Sequence, residues 1–414
     1  MDFLNNLLSK GKTQFHVIRE AMNYLSEKGF TTLSMDSDWE LRSGGKYMVS
    51  PYSSTLVAFV MGEKTDTLRL SACHTDFPML KLKPQPEITK KKYMQVNVEP
   101  YGGLIISSWF DRPLGLAGKV VTKGEDIFSP RTHLIDSEKP IFIIPNLAPH
   151  LKKDSKTGDI DIQKELVPIT GCDIAGNMSN SKFIMDYIAE KLDITVDDIL
   201  DYDLYLYICD QPTAIGLTDE FISSPRLDNL SSVSAILEGL TAGNIKNSIA
   251  VGAFFDNEEI GSRSKQGADS LLLKEIIDRI IPNRSYYTKA FNISLDVAHA
   301  THPNYQEKSD ITNDILLGGG IVLKTSASQR YVTDSEAGAV VTALCRENSI
   351  KLQKQVNRSG MPGGQTLGPI MSSYLPIKSV DMGIPMLAMH SARELIHKND
   401  YIELANFIAK YYEY

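Results

Sequence analysis

Between residues 14 and 28 apolar side chains recur at helical spacing, with Phe15, Ile18, Met22 and Leu25 on one face, and this predicts an amphipathic helix. Leu56-Val57-Ala58-Phe59-Val60 and Leu68-Arg69-Leu70-Ser71-Ala72-Cys73 are short apolar runs that predict strands, split by the turn-forming Gly62 to Asp66. Beyond Pro212 and Pro225 a longer rhythm sets in. It predicts helices over 230–240, 270–281 and 335–348, strands over 249–255 and 291–297, a strand near 378–381 and a last helix from about Asp400. Strands alternating with amphipathic helices predict an α/β fold, a mainly parallel sheet flanked by helices. From 88 to 212 the texture differs: short alternating strands and turns rich in Pro, Gly and Asp, including Val96-Asn97-Val98 and Pro140-Ile141-Phe142-Ile143-Ile144. The expected division is a catalytic domain of residues 1–87 and 213–414, with an inserted β-rich domain of residues 88–212.

Composition narrows the class. A chain of 414 residues exceeds the size at which one core keeps growing, so two or three units are expected. The net charge of −8 argues against a nucleic-acid partner, though a local basic pocket fits inside an acidic protein. Cys73, Cys172, Cys209 and Cys345 lie far apart without a CxxC pair, which reads as buried reduced thiols rather than disulfides or a cysteine zinc site. The start, Met1-Asp2-Phe3-Leu4-Asn5-Asn6-Leu7-Leu8, lacks the long apolar core of a secretory signal, and no apolar run approaches a membrane span. A cytoplasmic protein without a membrane partner is expected.

The candidate chemistry clusters where predicted strands end. His74 and Asp76 follow one strand, Asp228 follows Pro225-Arg226-Leu227, and Glu258-Glu259 follow Phe254-Phe255. Asp296 sits in Leu295-Asp296-Val297, and His390 in Ala388-Met389-His390. In open α/β sheets ligands gather outside the carboxyl ends of the strands. Imidazole and carboxylate donors without thiolate suit catalytic zinc, with manganese or cobalt as alternatives. Two histidines and three carboxylates match two metals sharing a bridging carboxylate. In Glu258-Glu259, adjacent side chains on extended backbone point to opposite sides, so one can bind metal while the other faces the attacking water.

Read singly, each piece has a plainer explanation. His74-Thr75-Asp76 fits a loop hydrogen bond, Asp228 a helix cap, and Glu258-Glu259 a solvated strand exit. Asp296 within an apolar strand is harder to dismiss, because an unpaired buried carboxylate is costly. His299 and His302 straddle a strand exit before Pro303 and suit hydrogen bonding around a site better than ligation. Gly318-Gly319-Gly320 before Lys324-Thr325 lacks the glycine next to the lysine that a phosphate loop needs, and no Gly-x-Ser-x-Gly elbow is present.

The motifs together resemble the aspartyl aminopeptidases, di-zinc metallopeptidases that remove acidic residues from peptide N-termini. The resemblance runs through nearly the whole chain. It is carried by His74-Thr75-Asp76, Tyr101-Gly102-Gly103, Trp109-Phe110-Asp111-Arg112, Ser224-Pro225-Arg226-Leu227-Asp228-Asn229 and Phe255-Asp256-Asn257-Glu258-Glu259-Ile260-Gly261-Ser262. Asp296-Val297-Ala298-His299-Ala300, Gln329-Arg330-Tyr331 and Met389-His390-Ser391-Ala392-Arg393-Glu394 complete it. It implies that His74 and Asp296 hold one zinc, Glu259 and His390 the other, and that Asp228 bridges them. Glu258 is then the general base and acid, while Asp76 orients His74 or steadies the catalytic water.

For substrate binding the resemblance implies Lys324 near an acidic side chain, Gly363-Gly364-Gln365-Thr366 lining the pocket, and His150 reaching a neighbouring subunit's active site. It further implies dimerisation through the inserted domain, a dodecamer built from dimers, and peptide substrates. The chain departs from the family at Gly11-Lys12-Thr13-Gln14, where Ser-Pro-Thr-Pro is usual, at Phe77 in place of Ser, and at Gly360 in place of Asp. The alternatives are a related di-metal aminopeptidase of broader specificity, an amide deacylase, or a non-catalytic shell-forming scaffold. No ligand position is damaged, as a scaffold would allow.

Overall fold

The strands Thr55–Met61 and Ile249–Phe255 are buried at every position, the signature of β-structure covered on both faces. They pair antiparallel in a nine-stranded sheet. Its centre is parallel: Ile249–Phe255, Leu68–His74, Phe291–Leu295 and Lys378–Gly383 run side by side in one direction. Ile321–Lys324 pairs antiparallel with Lys378–Gly383, so the sheet is mixed towards its edges. The structure is a computed structural model and describes all residues except 152–159, 175, 177–181, 243, 283–285 and 362.

Alternation along Ile249–Phe255 assigns its two faces. Val251, Ala253 and Phe255 join a core with Leu273, Ile276, Ile277 and Ile280 of the helix Leu272–Ile280. Gly252 faces the other way, where a Cβ would lie 2.6 Å from Ile236 of the helix Leu227–Ala242. The helices Gln14–Glu27, Ser335–Glu347 and Lys398–Glu413 form close to their expected places. The expected strand over 291–297 ends at Leu295, leaving Asp296 beyond the ladder.

The described residues divide into two units. The first comprises Met1–Phe77, Pro212–Met389 and Arg393–Tyr414; the second comprises Pro78–Gln211 and His390–Ala392. The expected boundary at residue 88 is therefore ten residues late. The strand Met79–Lys90 pairs with Tyr93–Tyr101 on one side and Ile199–Ile208 on the other, so its hydrogen bonds tie it to the second unit. That unit contains a six-stranded antiparallel sheet and a helix, Phe183–Leu192. Its principal strands are long, not short, and Pro140 to Ile144 contributes only isolated bridges at Phe142 and Ile143.

The first unit also holds a small sheet of Thr213–Ile215, Phe221–Ser224, Glu394–His397, Pro385–Leu387 and Ala298–His299. All four cysteines are free, but only Cys73 and Cys345 are buried; Cys172 is exposed, contrary to the expectation of buried thiols. Among the described residues no helix is long and apolar enough to cross a membrane.

Candidate active site

Three neighbouring parallel strands deliver the chemistry to one edge of the large sheet. His74 is the last residue of Leu68–His74 and pairs in register with Phe255, the last residue of Ile249–Phe255. On the other flank Phe291–Leu295 ends one residue before Asp296. Asp228 enters from the head of the helix Leu227–Ala242, where its backbone is non-helical (φ −80°, ψ 107°). One ligand atom each from His74, Asp228 and Glu259 lies within 4.8 Å of the others. The His74 Nε2 is 3.4 Å from Asp228 Oδ1 and 3.6 Å from Asp296 Oδ1.

Asp76 organises this cluster. Its main-chain carbonyl accepts from His74 Nδ1 at 2.9 Å, which places the lone pair of the neutral ring on Nε2, towards the carboxylates. Its carboxylate grips the next loop: Oδ1 accepts from the Glu258 amide and Oδ2 from the Glu259 amide, each at 3.1 Å. The glutamates do not sit on extended backbone, as the sequence suggested. Asn257 is left-handed (φ 63°), and Glu258–Ile260 form a single 3₁₀ turn closed by left-handed Gly261 (φ 97°). Successive residues in such a turn are about 120° apart, and that rotation, not a strand pleat, separates the two side chains.

The electrostatics describe a site short of positive charge. Burial pushes the Glu258 carboxyl up to about 8; His74 opposes this, and the Asp296, Asp76 and Asp228 carboxylates reinforce it. Burial alone would depress His74, yet Asp228, Asp296 and Asp76 hold it well above the usual imidazole range. Asp296 stays below the usual carboxylate range against its burial because Lys324 and His74 face it. One imidazole nitrogen among converging carboxylate oxygens, with no thiolate, is a donor set for a hard or borderline dication such as zinc. The residues present fit that metal.

Lys324 is 2 % exposed, and its Nζ lies 3.4 Å from Asp296 Oδ2 and 5.4 Å from the centre of the Tyr331 ring. It is a buried partner of the cluster rather than a surface lysine. Gly363 lines a cavity of about 390 Å³ whose other walls include His299, His302, Lys308 and Arg358. His299 therefore stands at a cavity, and His302 accepts the Asn304 amide on its Nδ1 at 3.1 Å. His390 belongs to the second unit, where its backbone is left-handed (φ 65°) and its Nδ1 donates to the Gly103 carbonyl at 2.8 Å. His150 also belongs to the second unit, exposed on the short turn Pro149–Leu151.

Sequence reasoning assigned no role to Glu394, which is buried and accepts the Asp228 amide at 3.0 Å. A lone acidic residue in the apolar run Glu394-Leu395-Ile396 was the available signal. The triple glycine proves to have an internal anion: the Gly318 and Gly320 amides donate to Asp400 at 2.7 and 2.8 Å.

The profile of the aminopeptidase I zinc metalloprotease family (M18) matches residues 7–412. The chain belongs to the M18 family. It is thus a zinc aminopeptidase, a metallopeptidase of the hydrolase class. A probable M18 family aminopeptidase 2 of Clostridium novyi (strain NT) is 41% identical over 415 residues, covering 96% of each chain. Among solved structures, the cryo-EM structure of the Ape4 and Nbr1 complex matches with TM-score 0.93 at 31% identity, over 100% of this chain and 85% of the other. The S. cerevisiae mApe1 dodecamer matches with TM-score 0.85 at 25% identity, over 100% of this chain and 96% of the other.

Proposed function

We propose that this aminopeptidase releases acidic residues, Asp or Glu, from peptide N-termini, with two zinc ions per chain and Glu258 as general base. The observation that carries the reading is the Asp76 clamp: one residue orients His74 and holds the amides of both glutamates beside it. His74, Asp228, Glu259, Asp296 and His390 would hold the metals, which manganese or cobalt could replace. Bound zinc supplies Lewis-acid polarisation of the scissile carbonyl and lowers the pKa of the attacking water. Glu258 takes the proton from that water as it attacks and returns it to the amine that leaves. Burial away from solvent lets one carboxyl serve as both base and acid. Lys308 and Arg358 in the walls of the cavity, together with Lys324, offer positive charge to an acidic side chain, and Gly363 forms part of that wall.

The dodecameric state of mApe1 supports a homo-oligomer of the same kind, with the second unit as its dimerisation element and His150 contributing to a neighbouring site. The test is Glu258→Gln with zinc measured by mass spectrometry. Zinc content should match wild type while kcat falls by about 10²–10⁴-fold. Near-normal turnover in the zinc-loaded variant would sink the assignment. Hydrolysis of aspartyl, glutamyl, alanyl and leucyl p-nitroanilides reads out the specificity.

A further inference from the structure

Asp381 is a buried acidic residue within the strand Lys378–Gly383 of the large sheet, fully enclosed and without a part in the chemistry above. In the ladder it stands directly opposite Ser294 on one side and Lys324 on the other. Residues paired in this way project to the same face. Its carboxylate ties together two loops. Oδ1 accepts the Thr366 hydroxyl at 2.7 Å, and Oδ2 accepts the Val332 amide at 2.6 Å. Its own amide donates to the Thr333 hydroxyl at 2.9 Å. Gly368 leaves room for this arrangement, since a Cβ there would lie 2.5 Å from Asp381 Oδ2.

Each loop carries something the cavity or the cluster uses. Thr366 ends the run that begins with the cavity residues Gly363 and Gly364. Val332 follows Tyr331, whose ring packs against the Lys324 ammonium, and Lys324 in turn faces Asp296. We infer that Asp381 is a positioning residue that fixes the 363–366 wall and the Tyr331 ring relative to Lys324, and so sets substrate affinity and side-chain preference rather than the rate of bond cleavage. The inference rests on the reading of that cavity as the seat of the substrate's first side chain.

Thr366→Val removes one hydroxyl at nearly constant volume and leaves Asp381 in place. Losing a hydrogen bond to a charged partner should raise KM for aspartyl p-nitroanilide about ten-fold. The preference for aspartyl over alanyl substrate should fall by a similar factor, with kcat within about two-fold and zinc per chain unchanged. Thr366→Ser should restore wild-type values, and Asp381→Asn should reproduce the loss through both loops. The inference is overturned if Thr366→Val leaves KM and preference unchanged, or if Thr366→Ser fails to rescue. It is equally overturned if zinc content, thermal stability and kcat fall together while KM stays put, since the tie would then be structural alone. A wild-type enzyme that shows no acidic preference would overturn the specificity reading by itself; KM of Thr366→Val for the best substrate then still decides the tie.

Discussion

At the residue scale, Asp76 does three jobs with one carbonyl and one carboxylate, and the jobs can be separated. The carbonyl that orients His74 is main chain and survives any substitution. The carboxylate that holds Glu258 and Glu259 does not. In Asp76→Asn one of the two amides must face an NH₂ group, so the 3₁₀ turn loosens on one side. Losses of this supporting kind cost about 10–100-fold in metal affinity or activity. We therefore expect kcat to drop within that range, with circular dichroism unchanged; wild-type kcat in Asp76→Asn would remove the clamp from the mechanism. Gly360, one of the expected departures from the pattern of the resemblance, poses a different question. Its φ of 82° is left-handed, and a Cβ there meets nothing within 4 Å. Gly360→Asp should therefore cost only about 1 kcal/mol of stability, measured by urea unfolding. Any gain or loss of acidic preference would then report the added charge and not a collapsed loop.

At the scale of elements, the glycine run 318–320, set aside as a phosphate loop on its sequence, nonetheless binds an anion, one that the chain itself supplies. Asp400, in the first turn of the last helix, already occupies the two amides. Asp400→Ala would leave the buried Gly320 amide unsatisfied, at a cost of about 1–3 kcal/mol. Lower urea midpoints with unchanged KM are the expected result, and a large KM change would instead place the loop in substrate binding. The long elements were legible because their patterns are long: fully buried strands such as Ile249–Phe255 are unbroken apolar runs, and Gln14–Glu27 repeats every third or fourth residue. The small five-stranded sheet was not, since strands of two to four residues carry no period. The boundary expected at residue 88 falls just after Pro84 and Pro86, residues that ordinarily interrupt a strand. They lie inside Met79–Lys90, where pairing with Tyr93–Tyr101 shifts register between Leu82 and Glu87, the irregularity at which a strand tolerates proline. His74, Asp228, Glu259 and Asp296, which the structure brings together, were visible as acidic and histidine side chains at strand ends. The turn that separates Glu258 from Glu259 was not, because it depends on left-handed Asn257 and Gly261.

For the whole molecule, metal and assembly give independent readouts of the same reading. Asp228, Glu258, Glu259 and Asp296 converge on one buried imidazole, so removing zinc leaves carboxylates facing one another at low solvent access. A ligand that binds only the folded state stabilises it by about 4 kcal/mol at a thousand-fold excess over Kd. Chelation should therefore both abolish activity and lower the melting temperature, and added zinc should restore both. Recovery of stability without activity would mean that zinc serves the fold and not the reaction. The proposed dodecamer is tested by mass: twelve chains of 46.0 kDa would give about 550 kDa in sedimentation. Exposed apolar side chains in the second unit, with Ile127 at 90% and Phe128 at 95%, supply surface that an oligomer can cover. If the proposed dodecamer closes around a chamber that holds its active sites, it adds a size limit that chemistry at the zinc site does not. A free peptide with an N-terminal aspartate should be cut, while the same residue at the flexible start of a large folded protein should survive. Equal cleavage of both would leave the zinc mechanism standing and remove the closed chamber.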